Sequence, residues 1–207
     1  MTGRLPFSAA VVLTLAASAA QATPSLVVDL DSGEVLQAQE ATRSWYPASV
    51  TKLMTAYVAL QAVREGRMSL QTPMVVSARA ARMAPSKMGF KPGSEITLDN
   101  ALKIIMVKSA NDVAVTIAEG LGGSVEGFAQ MMNEASLRVG MTQSNWVNPN
   151  GLPDPRQVTT ARDMAILARA LHRDFPEANG LWNIGAIQLG QRYMANHNGL
   201  IGRYRGA

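Results

Sequence analysis

The order of apolar and polar positions divides the chain into one short β unit followed by a train of amphipathic helices. "SLVVDLDSGEVLQAQE" has two apolar-rich runs around "DSG", where Gly33 can close a turn with a positive φ, so residues 25 to 40 are predicted to form a β-hairpin. Two strands alone are marginal in water and need a partner to pack on. In "VTKLMTAYVALQAVREG", Val50, Leu53, Tyr57, Leu60 and Val63 recur at helical spacing and Gly66 offers a stop, which predicts a core helix. Residues 68 to 96, punctuated by Pro and Gly, read as loop with short elements.

A threonine cap at Thr97 opens "TLDNALKIIMVK", whose apolar face runs through Leu98, Leu102, Ile105 and Met106 and breaks at "SAND". The next helix, "DVAVTIAEGL", has Asp112 available to cap it. Ser124 starts another, ending on Gly140, and Thr160 with Asp163 forms a capping-box pattern ahead of "MAILARALHRDF". The C-terminal "NHNGLIGRYRGA" closes nothing obvious. No internal repeat or low-complexity linker interrupts the pattern. A hairpin followed only by helices is an odd whole domain, because it leaves long strand edges unpaired, and this suggests that something is missing after residue 207.

Composition adds a class and a compartment. Of the 207 residues, 47% are hydrophobic and 16% charged, which places the chain among globular proteins with one domain. The first 22 residues differ: Arg4 gives a positive start, "AAVVLTLAASAA" is an apolar run too short to span a bilayer, and "AQA" is a small-residue cleavage site. This predicts a secretory signal peptide, residues 1 to 22, cut after Ala22, with a mature chain exported to the periplasm or another extracytoplasmic space. Cysteine is absent, which excludes disulfides, thiol nucleophiles and zinc-thiolate sites. The formal charge of +4 is scattered along the chain rather than bunched, so it describes a solvated surface and no nucleic-acid partner is expected.

Serine needs a base to become a nucleophile. The two histidines, His172 within a helix and His197 in a Gly/Asn-rich turn, match neither a serine-histidine arrangement nor an H-E-x-x-H zinc site, and no G-x-S-x-G elbow occurs. "GLGGSVEGF" lacks the lysine that a phosphate loop requires. No metal or cofactor is assigned. Lys52 remains as a base for Ser49: positions i and i+3 share a helix face, with Cβ atoms about 5 to 6 Å apart. A lysine of ordinary pKa is neutral only about once in 2,500 molecules at pH 7, so a useful base needs a pKa near about 7 to 8. Apolar neighbours and the positive end of the helix dipole both push that way. The spacing by itself leaves open a capping serine beside a surface lysine.

A second motif decides between them. Ser49-x-x-Lys52 is followed sixty residues later by Ser109-x-Asn111 between two helices, and this pairing resembles the penicillin-recognising serine acyl enzymes. "LVVDLDSGEVL", "YPASVTKLMTAYVAL", "FKPGSEITLDNALKIIMVKSANDVAVTIAE", "NWVNPNGLPD" and "TTARDMAILARAL" are similar, in order and spacing, to the serine-type D-Ala-D-Ala carboxypeptidases, the low-molecular-mass penicillin-binding proteins. The resemblance implies an α/β (α+β) fold of the β-lactamase/penicillin-binding-protein-like transpeptidase type. A helical cluster would lie against an antiparallel sheet of which residues 23 to 207 supply only the N-terminal hairpin.

It also implies roles and partners. Ser49 would attack the carbonyl between the two terminal D-alanines of a peptidoglycan stem peptide, and Lys52 would take its proton. Ser109 would relay a proton to the leaving D-alanine, and Asn111 would hold the substrate amide and the lysine. β-Lactams would acylate Ser49, and a longer form would associate peripherally with the inner membrane. The Ser49 backbone N–H would form half of an oxyanion hole. The family's Lys-Thr-Gly strand is missing, and "KPG" at Lys91 to Gly93 precedes the Ser-x-Asn motif and does not replace it. The expectation is an enzyme impaired by one oxyanion donor, a loss of about 10² to 10³ in rate. The alternatives are a D-amino-acid endopeptidase, a β-lactamase-like acyl enzyme, or a non-catalytic wall-binding pseudo-enzyme.

Overall fold

The structure, a computed structural model, describes residues 23–204; the leader segment expected over residues 1 to 22 lies outside them. The hairpin forms where the pattern places it, as β1 (Ser25–Val28) and β2 (Val35–Gln39), antiparallel with a register shift between Val27 and Val28. Its turn is set by local chemistry. Asp29 Oδ1 accepts from the Ser32 N–H and hydroxyl, and Gly33 takes φ +77° with the Arg169 guanidinium packed against its Cα.

A short 3₁₀ turn, Ala48–Val50, leads into α1 (Thr51–Arg64), which ends at Glu65 with Gly66 at φ +70° beyond it. The expected apolar stripe of α1 is only part of what it buries. Val50 is 48% exposed, whereas Met54, Ala56, Ala59 and Ala62 are fully buried. The reason is that α1 is central: later helices pack around it on several sides, and three alanines allow their close approach. The loop over residues 68 to 96 contains β3 (Pro73–Val75), the single-turn α2 (Ala78–Ala81) and β4 (Glu95–Thr97), with β3 and β4 antiparallel. Lys91 to Gly93 forms the turn into β4, where the Gly93 N–H donates to the Val76 carbonyl.

Thr97 caps α3 (Leu98–Lys108) as its sequence predicts, its hydroxyl accepting from the Asn100 N–H. α4 (Asn111–Gly122) departs from expectation at its start. Its N-cap is Ala110, and the buried Asp112 carboxylate accepts from the Met88 and Gly89 N–H groups as well as from Val113. Asp112 thus ties the 84–90 loop to the helix rather than acting as a simple cap. α4 is apolar nearly all round and runs through the core, with Val113, Ala114, Ile117 and Ala118 at zero exposure. α5 (Val125–Val139) is capped by Ser124 and stopped by Gly140 in the left-handed region.

α6 (Ala161–Asp174) starts on Thr160, whose hydroxyl accepts from the Asp163 N–H at 3.0 Å. The other half of the capping box does not close, because the buried Asp163 carboxylate serves the Gln143 N–H and the Ser144 hydroxyl. Thr160→Ala is expected to cost about 1 kcal/mol, read as a fall of about 2–4 °C in Tm, with Thr160→Ser retaining most of the wild-type value. Equal losses in the two variants would show that the hydroxyl contributes nothing.

After α6, a second 3₁₀ segment (Pro176–Leu181) precedes β5 (Ala186–Leu189) and β6 (Arg192–Ala195), an antiparallel hairpin that the hydrophobic pattern does not reveal. The described fold is therefore a helical cluster with three separate two-stranded antiparallel sheets, not a single hairpin followed by helices. β5 and β6 pack on α3, which gives their apolar positions a place that short, irregular alternation cannot announce. No helix among the described residues is long and apolar enough to cross a membrane.

Candidate active site

Ser49 lies in the 3₁₀ turn ahead of α1, exposed, directly after Ala48, whose φ of +47° places a non-glycine residue in the left-handed region. Lys52, in the first turn of α1, is only 2% exposed. Its ammonium donates three bonds: to Asn150 O at 2.7 Å, to Asn111 Oδ1 at 2.9 Å and to Ser49 Oγ at 3.4 Å. Burial pushes the Lys52 pKa down to about 8. At that value roughly one molecule in ten is neutral at pH 7.

The geometry defines what the neutral amine does. It keeps two N–H bonds and one lone pair. The two short bonds to fixed acceptors hold the two protons, so the lone pair falls along the third and longest direction, toward Ser49 Oγ. Asn111 is itself held in place: its Nδ2 donates to the Ala84 and Pro85 carbonyls, and its backbone N–H to Ser86 O. Its Oδ1 is thereby aimed at Lys52.

Three of the four sequence-predicted residues come together here: Ser49, Lys52 and Asn111. Ser109 sits at the corner between α3 and α4 with φ +53°, partly buried, and among the described residues no hydrogen bond joins it to the other three. The histidines lie elsewhere, His197 with its Nε2 2.7 Å from Lys108 Nζ and His172 with its Nε2 4.0 Å from Asp31. No group of three or more Asp, Glu or His side chains among the described residues could hold a metal ion.

The wall opposite α1 comes from residues 145 to 157, whose site contribution is backbone and therefore hidden from residue-type reasoning. The Pro149 carbonyl accepts from Thr55 Oγ1 at 2.7 Å and the Asn150 carbonyl from Lys52. Gly151, at φ +84°, lies so close to the Ala48–Ser49 peptide that a Cβ there would overlap the Ala48 carbonyl and stand 3.0 Å from Ser49 N. The sequence signals for this loop are the "NPNG" turn chemistry and the family-like segment "NWVNPNGLPD" that contains it. The same loop and Tyr46, Pro47 and Ala48 line a half-open, mostly apolar pocket of about 410 Å³.

Helices packed around α1 and α4, with antiparallel strands at the margin, give this chain a fold similar to that of solved penicillin-binding proteins. Penicillin-binding protein 5 from Haemophilus influenzae matches it with a TM-score of 0.82 at 31% identity, over 86% of this chain and 53% of that one. The chain belongs to the D-alanyl-D-alanine carboxypeptidase family, whose profile covers residues 11–205. D-alanyl-D-alanine carboxypeptidase DacA of Haemophilus influenzae is 34% identical over 180 residues, 85% of this chain and 46% of that protein. DacC of Escherichia coli is 31% identical over 202 residues, 95% of this chain and 50% of that protein. The chain thus spans about half the length of the curated relatives it matches.

Proposed function

We propose that this chain carries the acyl-transfer chemistry of a serine-type D-Ala-D-Ala carboxypeptidase acting on peptidoglycan stem peptides outside the cytoplasm. The observation that supports it most directly is the buried Lys52, held by Asn111 Oδ1 and Asn150 O with its third bond directed at Ser49. In this reading neutral Lys52 takes the Ser49 proton as Oγ attacks the carbonyl between the terminal D-alanines. Asn111 orients the lysine and the substrate amide. Ser109 passes a proton to the departing D-alanine, and water then releases the shortened peptide. A β-lactam acylates Ser49 by the same attack, with its ring amide in place of the peptide bond.

The test is intact-mass measurement of the chain after incubation with benzylpenicillin. One added penicillin per chain is expected, and none in Ser49→Ala. Release of D-alanine from a peptide ending in D-Ala-D-Ala, absent in the same variant, then separates carboxypeptidase action from simple acylation. An adduct that persists in Ser49→Ala, or a folded wild type that takes up no penicillin, overturns the reading.

A further inference from the structure

We propose that Gln157 is a positioning residue for Lys52, holding the 147–151 loop against α1 so that the Asn150 carbonyl stays aimed at the lysine amine and water is kept out of its pocket. The inference rests on the reading of Lys52 as the base and extends it to a residue that touches neither Ser49 nor Lys52.

Gln157 is 2% exposed and its amide is fully engaged. Oε1 accepts from the Val147 N–H at 3.0 Å and the Asn148 N–H at 2.8 Å. Nε2 donates to Asn148 Oδ1 at 3.0 Å and to Thr51 Oγ1 at 3.1 Å. Asn148 Oδ1 accepts in addition from the N–H groups of Asn150 and Gly151, at 3.3 and 2.8 Å. One buried amide therefore grips the loop at its beginning directly, at its end through Asn148, and joins both to the residue immediately before Lys52. Between those anchors the loop presents two successive carbonyls to α1, Pro149 to Thr55 and Asn150 to Lys52.

Only a primary amide satisfies this arrangement, since it must offer an acceptor to two N–H donors on one side and two donors to oxygens on the other. An apolar replacement leaves the Val147 and Asn148 N–H groups buried without partners, so the loop must move or admit water. Either displaces the wall that dries Lys52. Burial is the cause of the lowered Lys52 pKa, with no charged neighbour contributing, and the nearby Asp112 of α4 is turned to Met88 and Gly89. Gln157 thus acts on the lysine through water exclusion and loop register, not through charge.

A merely structural Gln157 would affect stability alone, so the test reads the lysine itself. In the full chain labelled with ¹³C-lysine, the Lys52 Cε resonance, assigned by its loss in Lys52→Met, is expected to titrate near pH 8. In Gln157→Met the midpoint is expected to rise by about one unit or more as water reaches the amine. Benzylpenicillin acylation at pH 7 should fall about tenfold and recover toward high pH, because each unit of pKa costs about tenfold in neutral amine. Thr51→Val, which removes only the link from Nε2 to α1, should move the midpoint in the same direction and keeps the test decisive where Gln157→Met does not fold. An unchanged Lys52 midpoint in either folded variant overturns the proposal. The resonance titrates whether or not the chain reacts with penicillin, so a wild type that is not acylated counts against the proposed function and leaves the role of Gln157 to be judged by NMR.

Discussion

Replacing Lys52 with methionine is expected to slow acylation of Ser49 by benzylpenicillin about 10²–10⁴-fold, the usual contribution of a positioned general base. The wild-type rate should rise with pH and level off above about 8, where the buried amine loses its proton, and the residual rate of Lys52→Met should lack that step. The same substitution has a thermodynamic signature. The Lys52 pKa is about 8 in the folded chain against an ordinary value of 10.5, a difference worth about 3 kcal/mol. Because the folded value is the lower one, the unfolded chain binds more protons between these limits, so wild-type stability rises as the pH climbs from about 8 to 10.5. Below that window the cost of the buried cation is fully present.

Lys52→Met removes the charge but leaves Asn111 Oδ1 and Asn150 O without their donor, a cost of about 1–3 kcal/mol each. The difference in pH dependence between wild type and variant is therefore the informative quantity, rather than either stability alone. Denaturant unfolding at pH 7 and pH 10 measures it, and parallel curves for the two proteins would refute a buried, depressed lysine. An acylation rate unchanged by the substitution would remove Lys52 from the mechanism.

Gly151→Ala is the second substitution with a large expected effect. Its φ of +84° costs an alanine about 1–2 kcal/mol, and the overlap of the new Cβ with the Ala48 carbonyl adds about 1–3 kcal/mol of overpacking. Relief comes only by moving the Ala48–Ser49 peptide or the 149–151 loop, and each carries part of the site. Acylation is expected to fall at least tenfold, since small displacements of reacting groups are costly. Gly180→Ala is the control: an added Cβ there meets open space, and both stability and acylation should stay near wild type. A folded Gly151→Ala acylated at the wild-type rate would show that the close approach is incidental.

Much of the candidate site was legible in the amino-acid order because it is built from side-chain types at short spacing. Ser49 and Lys52 lie three residues apart on one helix start, and Ser109 and Asn111 lie at the next break between helices. Helix boundaries at Thr97, Ser124, Gly140 and Thr160 were readable for the same reason, since a cap is a local bargain between one side chain and the nearest N–H groups. Asp112 and Asp163 were only half legible. Both occupy cap-like positions, but each carboxylate is turned to backbone brought in from elsewhere, Met88 and Gly89 for one and Gln143 for the other.

By itself, then, the sequence determined the Ser49–Lys52 pair proposed as nucleophile and base, the helical train and the first hairpin, because each of these depends on residues within about one or two turns of one another. Only the tertiary structure decided that α1 is buried on several sides rather than along one stripe, that β5 and β6 pair, and that Lys52 is dry. The third of these is what the proposed role of Lys52 as a base depends on. The acceptor that aims the lysine is a backbone carbonyl at Asn150, and the amide that holds it belongs to Gln157, 98 and 105 residues away from Lys52 along the chain. A carbonyl carries no residue-type signature, and the exclusion of water from an amine is a property of everything packed around it.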